Sequence, residues 1–391
     1  MRAWASSLTG LYTAAWVRAL RRSKHTHTHT AAYLESLSKE SKFCQKSCAS
    51  PARARARDID AFMRPLLLAG AAFSVGAAII YFRRHRRSRS SIDDRFVLVT
   101  NFEYIANGRD YAQEDLFLAA ALRKRGFNVV TVHPNDLSEV DVATSKVVLF
   151  RNTGPVTTHA ESLARWRRFQ AEGHDHGKLA NNLQLKGDLN GKQHLLDLTR
   201  QGGYPVIEAH LVRDFLADSQ ADTRPTGELM IKPLNGADSV GLRKVAGVDE
   251  LRGIAQVDSE VRDSYVVQRC VAFDYEVSFY FVGNQFVYAL RSGGPEARWE
   301  MKPYTKEENA STWAADMAFA ETLFKWNGPS RGVVRVDGVR ESKTWRLLLM
   351  EVEDYNPYLS LDLLPQSKRE EFVDILARSV RMPVLSDGES T

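Results

Sequence analysis

From Arg95 onward the chain alternates between short apolar runs and amphipathic stretches. Arg95 to Thr100, Asn128 to Val132 and Lys146 to Phe150 are strand-length runs rich in Val, Leu and Phe. Tyr111 to Arg125 has helical periodicity, and Gly126 is placed to stop it. Thr158 to Ala171 is a second amphipathic helix. This β-α-β order predicts a small Rossmann-like layer. Further on, Glu228 to Pro233 reads as a strand carrying Lys232, and Val271 to Val282 as an apolar strand. Near the end, one apolar run closes with Arg335-Val336-Asp337 and the next with Glu351-Val352-Glu353-Asp354-Tyr355-Asn356-Pro357. A polar connector, Gly338 to Arg346, joins them, which predicts a β-hairpin. Residues two apart share a strand face, so Arg335 projects with Asp337 and Glu351 with Glu353. A turn near Ser342 to Thr344 would set Asp337 almost opposite Glu351.

Charge divides the chain in two. The net charge is +5, yet residues 1–90 hold 17 Lys and Arg against 4 Asp and Glu, so the remainder carries −8. Nothing in that remainder is a basic, aromatic-interleaved surface, and no nucleic-acid partner is expected. The three cysteines make no disulfide framework, which fits a reducing compartment. Met1 to Ala32 is Arg-rich, Ser-containing and free of acids, the character of a mitochondrial presequence. Residues 1–64 therefore read as a targeting and linker segment. Pro65 to Phe82 is uncharged, preceded by Arg64 and followed by five arginines between Arg83 and Arg89. At about 1.5 Å per residue it falls just short of a ~30 Å hydrocarbon core, so residues 65–82 are expected to form a single transmembrane helix. The heavier basic flank places the rest in matrix or cytosol, the mitochondrion being preferred.

Two patterns carry chemistry. Three clustered carboxylates repel unless a cation lies among them, and an oxygen-only set of Asp337, Glu351 and Glu353 suits Mg²⁺, with Mn²⁺ as a substitute. Solvated acids on an edge hairpin would give the same letters. Lys232 leads into Asn235-Gly236-Ala237-Asp238-Ser239-Val240-Gly241, a lysine and a small-residue loop that can bring N–H groups to phosphate oxygens. An ordinary hairpin loop also favours Gly and Asn. It is not a P-loop: Gly236 and Gly241 are correctly separated, but Leu242-Arg243 follows them. No G-x-G-x-x-G follows the first strand.

The order of lysine, loop, strands and acidic hairpin resembles the ATP-grasp ligases over residues 94 to 375. The closest likeness is to members that make peptide-like bonds, such as glutathione synthetase and the D-cycloserine-forming ligase. Val147 to Thr153 is similar to the end of a pre-ATP-grasp domain, and Asn190 to Leu196 with Gly203 to Ile207 to the family's entry segment. Tyr265 to Val271 resembles the interlobe hinge. The resemblance implies an α/β (α+β) chain with a Rossmann-like pre-ATP-grasp domain at 94–188, an ATP-grasp domain at 189–380 and a tail at 381–391.

By that resemblance, Lys192 and Lys232 would contact the ATP phosphates beneath a loop containing Asn235, Gly236, Ser239 and Gly241. Gln268, Arg269 and Cys270 would meet the adenine, and Glu276 the ribose. Asp337, Glu351 and Glu353 would hold two Mg²⁺, and Arg291 and Arg335 would stabilise the transferring phosphoryl group. Arg151 and the 101–110 loop would help hold the acceptor. The implied reaction joins a carboxylate to an amine, or a thiol, through an acyl phosphate, releasing ADP and phosphate. Its partners are small molecules, and family members often form homodimers. A kinase acting on a hydroxyl and a membrane-tethered ATP-binding pseudoenzyme are the alternatives. Two departures stand out: Glu353 replaces a commoner asparagine, and Ala297 to Lys302 replaces the family's acceptor motif.

Overall fold

Burial with a period of two builds the first layer. The computed structural model describes residues 95–106, 109–217, 227–236, 239–297 and 300–382. Strand β1 (Arg95–Val99) lies between β4 (Asn128–Val132) and β5 (Val147–Phe150), parallel to both. Between β1 and β4 come the two-residue strands β2 (Ile105–Ala106) and β3 (Arg109–Asp110), then helix α1 (Ala112–Lys124). Phe96, Leu98, Val147 and Leu149 pack with Leu118 and Leu122 of α1. Val97, Val99, Val148 and Phe150 pack instead with Leu163 and Trp166 of α2 (Ala160–Ala171). A parallel sheet covered on both faces has no polar side, so its strands read as continuous apolar runs. The Rossmann-like layer is present.

Two antiparallel sheets follow. After α3 (Gln193–Gln201), strands β6 (Ala209–Leu211), β7 (Leu229–Pro233), β8 (Arg243–Val245) and β9 (Tyr265–Arg269) form a sheet in the order β6-β9-β7-β8. Helix α4 (Val248–Val257) covers it, burying Leu251 and Ala255 with Leu229 and Ile231. Lys232, next in the alternation, is carried on the opposite face of β7.

The third sheet holds β10 (Phe273–Val282), β11 (Gln285–Arg291), β12 (Lys302–Pro303), β13 (Val333–Glu341) and β14 (Leu347–Glu353), in the order β12-β11-β10-β13-β14. Its Phe279, Phe281, Val334 and Val336 pack with Phe319 and Leu323 of α5 (Trp313–Asn327). Its Tyr280, Val282 and Val333 pack with Phe372 and Leu376 of α6 (Gln366–Arg381), in the cluster that also contains α1 and β1. Each fully buried Leu or Phe contributes roughly 1.5–3 kcal/mol, so this shared cluster ties the parallel layer to the large sheet.

The hairpin differs from expectation in one respect. The segment read as a polar connector is strand as far as Glu341, and only the turn that follows is irregular. The reason is a buried ion pair: Arg340 Nη2 donates to Asp316 Oδ2 at 2.7 Å, both side chains 2% exposed. A paired arginine can occupy a core strand that periodicity alone assigns to solvent.

The membrane placement is corrected. Among the described residues no helix is long and apolar enough to cross a membrane. The basic segment 1–64 and the run 65–82, which carried the single-pass and mitochondrial expectations, lie outside the described residues, as does the tail beyond 382. The membrane assignment is withdrawn.

Candidate active site

The hairpin register brings the acids together. Asp337 on β13 pairs with Glu351 on β14, and Arg335 pairs with Glu353. All four side chains line one cavity of about 220 Å³. The same cavity is lined by Asn235, Gly236 and Ser239 of the loop after β7, and by Glu276 of β10, the strand paired with β13. Ser239 has φ +62°, a left-handed residue in a tight loop, and Ala237 and Asp238 lie outside the described residues.

Lys192 joins loop to hairpin. Its Nζ donates to the Gly236 carbonyl at 2.9 Å and lies 3.4 Å from Glu351 Oε1. Its backbone N–H donates to the Leu234 carbonyl at 2.7 Å. That approach requires glycine just before it. Gly191 has φ +61°, and a Cβ there would sit 2.2 Å from the Leu234 oxygen. Beneath lies His194, fully buried at the start of α3. Its Nδ1 lies 3.0 Å from the Gly191 carbonyl and its Nε2 accepts from Val352 N at 3.3 Å. This pairing assigns the neutral tautomer with hydrogen on Nδ1. Burial pushes the His194 pKa down to about 4. Burial alone would raise the Glu351 carboxyl, but Lys192, His194, Arg335 and Lys232 together hold it below its usual value.

Arg335 is the hub of the acidic side. Its Nε and Nη2 donate to Asp337 at 2.8–3.0 Å, Nη2 also donates to Glu353, and Nη1 donates to the Tyr358 carbonyl at 3.0 Å. Burial opposes its charge, yet Asp337 and Glu353 hold its pKa well above the ordinary value. Arg335 thus engages Asp337 and Glu353, and Lys192 engages Glu351. Among the described residues no three His, Cys, Asp or Glu are gathered so as to hold a metal ion. Asp337, Glu351 and Glu353, expected as metal ligands, line one cavity, but each is engaged by Arg335 or Lys192 instead of converging on one point. In donor chemistry the set fits a hard divalent cation, being all oxygen and anionic.

Other expected residues lie elsewhere. Gln268 is buried on β9, with Nε2 donating to the Ile207 carbonyl at 2.7 Å. Arg269 Nη2 donates to Glu341 Oε1 at 3.0 Å. The backbone N–H of Cys270 donates to the Glu228 carbonyl at 2.9 Å, and burial pushes its thiol pKa up. Arg291 ends β11 with its guanidinium 5.1 Å from the Tyr275 ring centroid, its buried Nε without a hydrogen-bond partner. None of these four lines the cavity, nor do Lys232 and Gly241. The charge of Lys232 nonetheless bears on Glu351 and His194.

Arg151 is not an acceptor ligand. It is 1% exposed, its Nη2 2.7 Å from Glu114 Oε1, its Nε 3.2 Å from Asp115 Oδ1 and its Nη1 2.5 Å from the Pro357 carbonyl. A buried guanidinium with three such partners is spent on structure.

The sequence reading reached the far end of the cavity only through Tyr104, in the 101–110 loop expected to help hold the acceptor. Tyr104, Tyr111 and Tyr358 line that end, with Asn152, Asn356 and Met301. Asp188 also lines the cavity and accepts from the N–H groups of Asp354 and Tyr355 at 2.8 and 3.0 Å. Burial first, then Asp354 and Glu353, hold the Asp188 carboxyl well above its usual pKa. Asn356 follows the acidic motif directly, and Asp188 sits between Gly187 and Gly191, which are the only local signals.

No family model matches the sequence, and no curated protein matches it. Solved structures do. A D-cycloserine synthetase is 20% identical, covering 73% of this chain and 100% of its own, with a TM-score of 0.53. The D-alanine--D-alanine ligase of Bacillus anthracis, complexed with ATP, is 14% identical over 73% of this chain and 97% of its own, with a TM-score of 0.52. The ATP-grasp ligase PsnB, complexed with a minimal precursor, is 14% identical over 73% and 99%, with a TM-score of 0.50. With its parallel layer and two antiparallel sheets, this chain has the ATP-grasp fold.

Proposed function

We propose that this protein is an ATP-dependent ligase that joins a carboxylate to an amine, releasing ADP and phosphate. One observation carries the reading: the β13–β14 register sets Asp337 opposite Glu351 and Arg335 opposite Glu353, in a cavity shared with the loop fixed by Lys192. A carboxylate resists amines because it is anionic and has no leaving group. Transfer of the ATP γ-phosphoryl to it gives an acyl phosphate. The amine nitrogen then bonds to the carbonyl carbon, phosphate leaves with the C–O bond electrons, and the nitrogen loses a proton to solvent.

Positioning and charge neutralisation supply most of the catalysis of such a transfer. Lys192 and the backbone of Asn235, Gly236 and Ser239 would face the phosphates, and Glu276 the ribose. Asp337, Glu351 and Glu353 would hold Mg²⁺, two ions in our reading, and Arg335 would lend its charge to the transferring phosphoryl group. Mg²⁺ supplies neutralisation of the phosphate charge. Acting from β7, Lys232 would raise the positive potential beneath the loop. Residues 94–188 would act as the acceptor-side layer and 189–380 as the nucleotide-binding part.

The Arg335 clamp favours one other reading, a nucleotide-binding protein that does not turn over, since internal pairing already satisfies its acids. A turnover assay separates the two. Full-length protein is given Mg-ATP with pooled amines and small carboxylates, and ADP and phosphate are followed, with Glu351→Gln as control. Pool-dependent release of both, lost in the variant, is expected. ADP without phosphate would indicate a kinase, and binding without release would leave the non-catalytic reading.

A further inference from the structure

The outer edge of β14 is closed by side chains from one short stretch of chain. Among the described residues β14 ends its sheet, so the N–H groups along its outer side need acceptors from elsewhere. Leu349 N donates to the Pro205 carbonyl at 2.7 Å. Farther along, Val352 N donates to His194 Nε2 at 3.3 Å, and the N–H groups of Asp354 and Tyr355 donate to Asp188 Oδ1 at 2.8 and 3.0 Å. Both acceptor side chains belong to residues 188–194, and Lys192 lies between them in sequence.

His194 reaches both sides of the site. Val352 is fully buried and sits between Glu351 and Glu353 in the chain, so its N–H is costly unless an acceptor meets it. The imidazole is fully buried as well, and its Nδ1 lies 3.0 Å from the Gly191 carbonyl. The N–H of the next residue, Lys192, donates to the Leu234 carbonyl at 2.7 Å, and Leu234 leads directly into Asn235 and Gly236. A continuous path thus runs from the loop backbone through Lys192, Gly191 and the imidazole to the backbone of β14. No link in it uses the Lys192 ammonium or a carboxylate of the acids, so it does not depend on where those groups turn. Resting on the ligase reading above, we infer that His194 is a positioning residue. By donating to Gly191 and accepting from Val352, it sets the spacing between the phosphate-facing lysine and loop and the acids Glu351 and Glu353. A cation shared by ATP phosphates and those acids rewards a fixed spacing, because its gain requires both halves in register.

Two amide substitutions separate the ends of the ring. Asparagine ends one bond beyond Cγ, where Nδ1 lies, and glutamine two bonds beyond, where Nε2 lies. ATP is titrated by calorimetry, with and without Mg²⁺, into full-length His194→Asn, His194→Gln and the unaltered protein. His194→Gln can still accept from Val352 N, and its Mg²⁺-dependent gain in ATP affinity is expected to stay within about two-fold of the unaltered protein's. His194→Asn leaves Val352 N without its acceptor and is expected to lose about five-fold of that gain. A purely structural role would lower both thermal midpoints and leave the two gains alike. Equal gains in the two variants, or a full gain in His194→Asn, would overturn the inference. Should either variant fail to fold, ¹⁵N NMR of the histidine rings in the unaltered protein decides. The ring assigned by its contact with the Val352 amide is expected to carry hydrogen on Nδ1 and none on Nε2, with and without Mg-ATP. Hydrogen on Nε2, which could not then accept from Val352, would overturn the inference. The outcomes separate from those of the ligase reading. No Mg²⁺ gain in the unaltered protein removes that reading and the inference with it, whereas a gain there that is equal in both variants removes the inference alone.

Discussion

Two neighbouring stretches line the same cavity and are built in opposite ways. The β13–β14 hairpin presents Arg335, Asp337, Glu351 and Glu353 through a regular ladder, so their placement follows from strand alternation and register. The strap that follows, residues 354–361, presents Asn356, Tyr358 and Ser360 with only a short 3₁₀ turn, Leu361–Leu363, at its end. Buried side chains from distant elements hold its backbone. Asn181 Nδ2 donates to the carbonyls of Asp354 and Tyr355, Arg151 to that of Pro357, Arg335 to that of Tyr358 and Tyr288 to that of Leu359. Glu114 accepts from the N–H groups of Leu359 and Leu361. Half of the candidate site is thus specified locally and half by residues as much as 247 positions away.

The difference implies that damage to the hairpin costs chemistry and damage to the pins costs stability. The largest effect is expected for Arg151→Met, which leaves Glu114 and Asp115 buried without their cation. Equilibrium urea unfolding should show a loss of about 3–5 kcal/mol. A loss below about 1 kcal/mol would mean that the strap is not pinned through Arg151. Next is Glu351→Gln, which should reduce ATP turnover about 100-fold or more while unfolding free energy moves by less than about 1 kcal/mol. A stability loss matching the activity loss would erase the contrast.

The third effect is one of pH. Burial, only partly offset by Arg151, pushes the Glu114 pKa from 4.5 to about 7. The folded protein therefore holds this proton more tightly than the unfolded chain. The resulting stability is fully present below pH 4.5 and is lost as pH rises through about 7, by roughly 3 kcal/mol at most. Glu114→Gln cannot ionise and should flatten that fall between pH 5 and 7.5 in paired unfolding curves; parallel curves would refute the assignment. His194 works with the opposite sign, its stability present above 6.5 and lost as pH falls toward 4, so comparison of paired proteins is needed. The smallest effect is Tyr288→Phe, which removes one 2.6 Å bond to the Leu359 carbonyl and should cost about 1 kcal/mol.

The contrast also explains what the sequence could convey. The three parallel strands, helix α1 and the Asp337–Glu351 pairing were legible because period and spacing encode them. Gly338 to Arg346 was misread because Arg340 pairs with Asp316, 24 residues away, and so behaves as core. Arg151 was misread for a similar reason: nothing near it announces Glu114 or Pro357. Gln268 and Arg291 were placed by resemblance, and the structure sets the first against Ile207 and the second over Tyr275. Tyr104, Tyr111 and Tyr358 come from three separate segments, and only folding makes them one surface.

The central claim is that Lys192, the 235–239 loop and the hairpin acids form one nucleotide site that needs a divalent cation. Calorimetric titration of ATP into the full-length protein, with and without Mg²⁺, tests it most directly when repeated on Glu351→Gln. The account predicts binding that tightens at least about ten-fold with Mg²⁺, and loses most of that gain in the variant. ATP binding indifferent both to Mg²⁺ and to Glu351→Gln, or no binding at all, would contradict it.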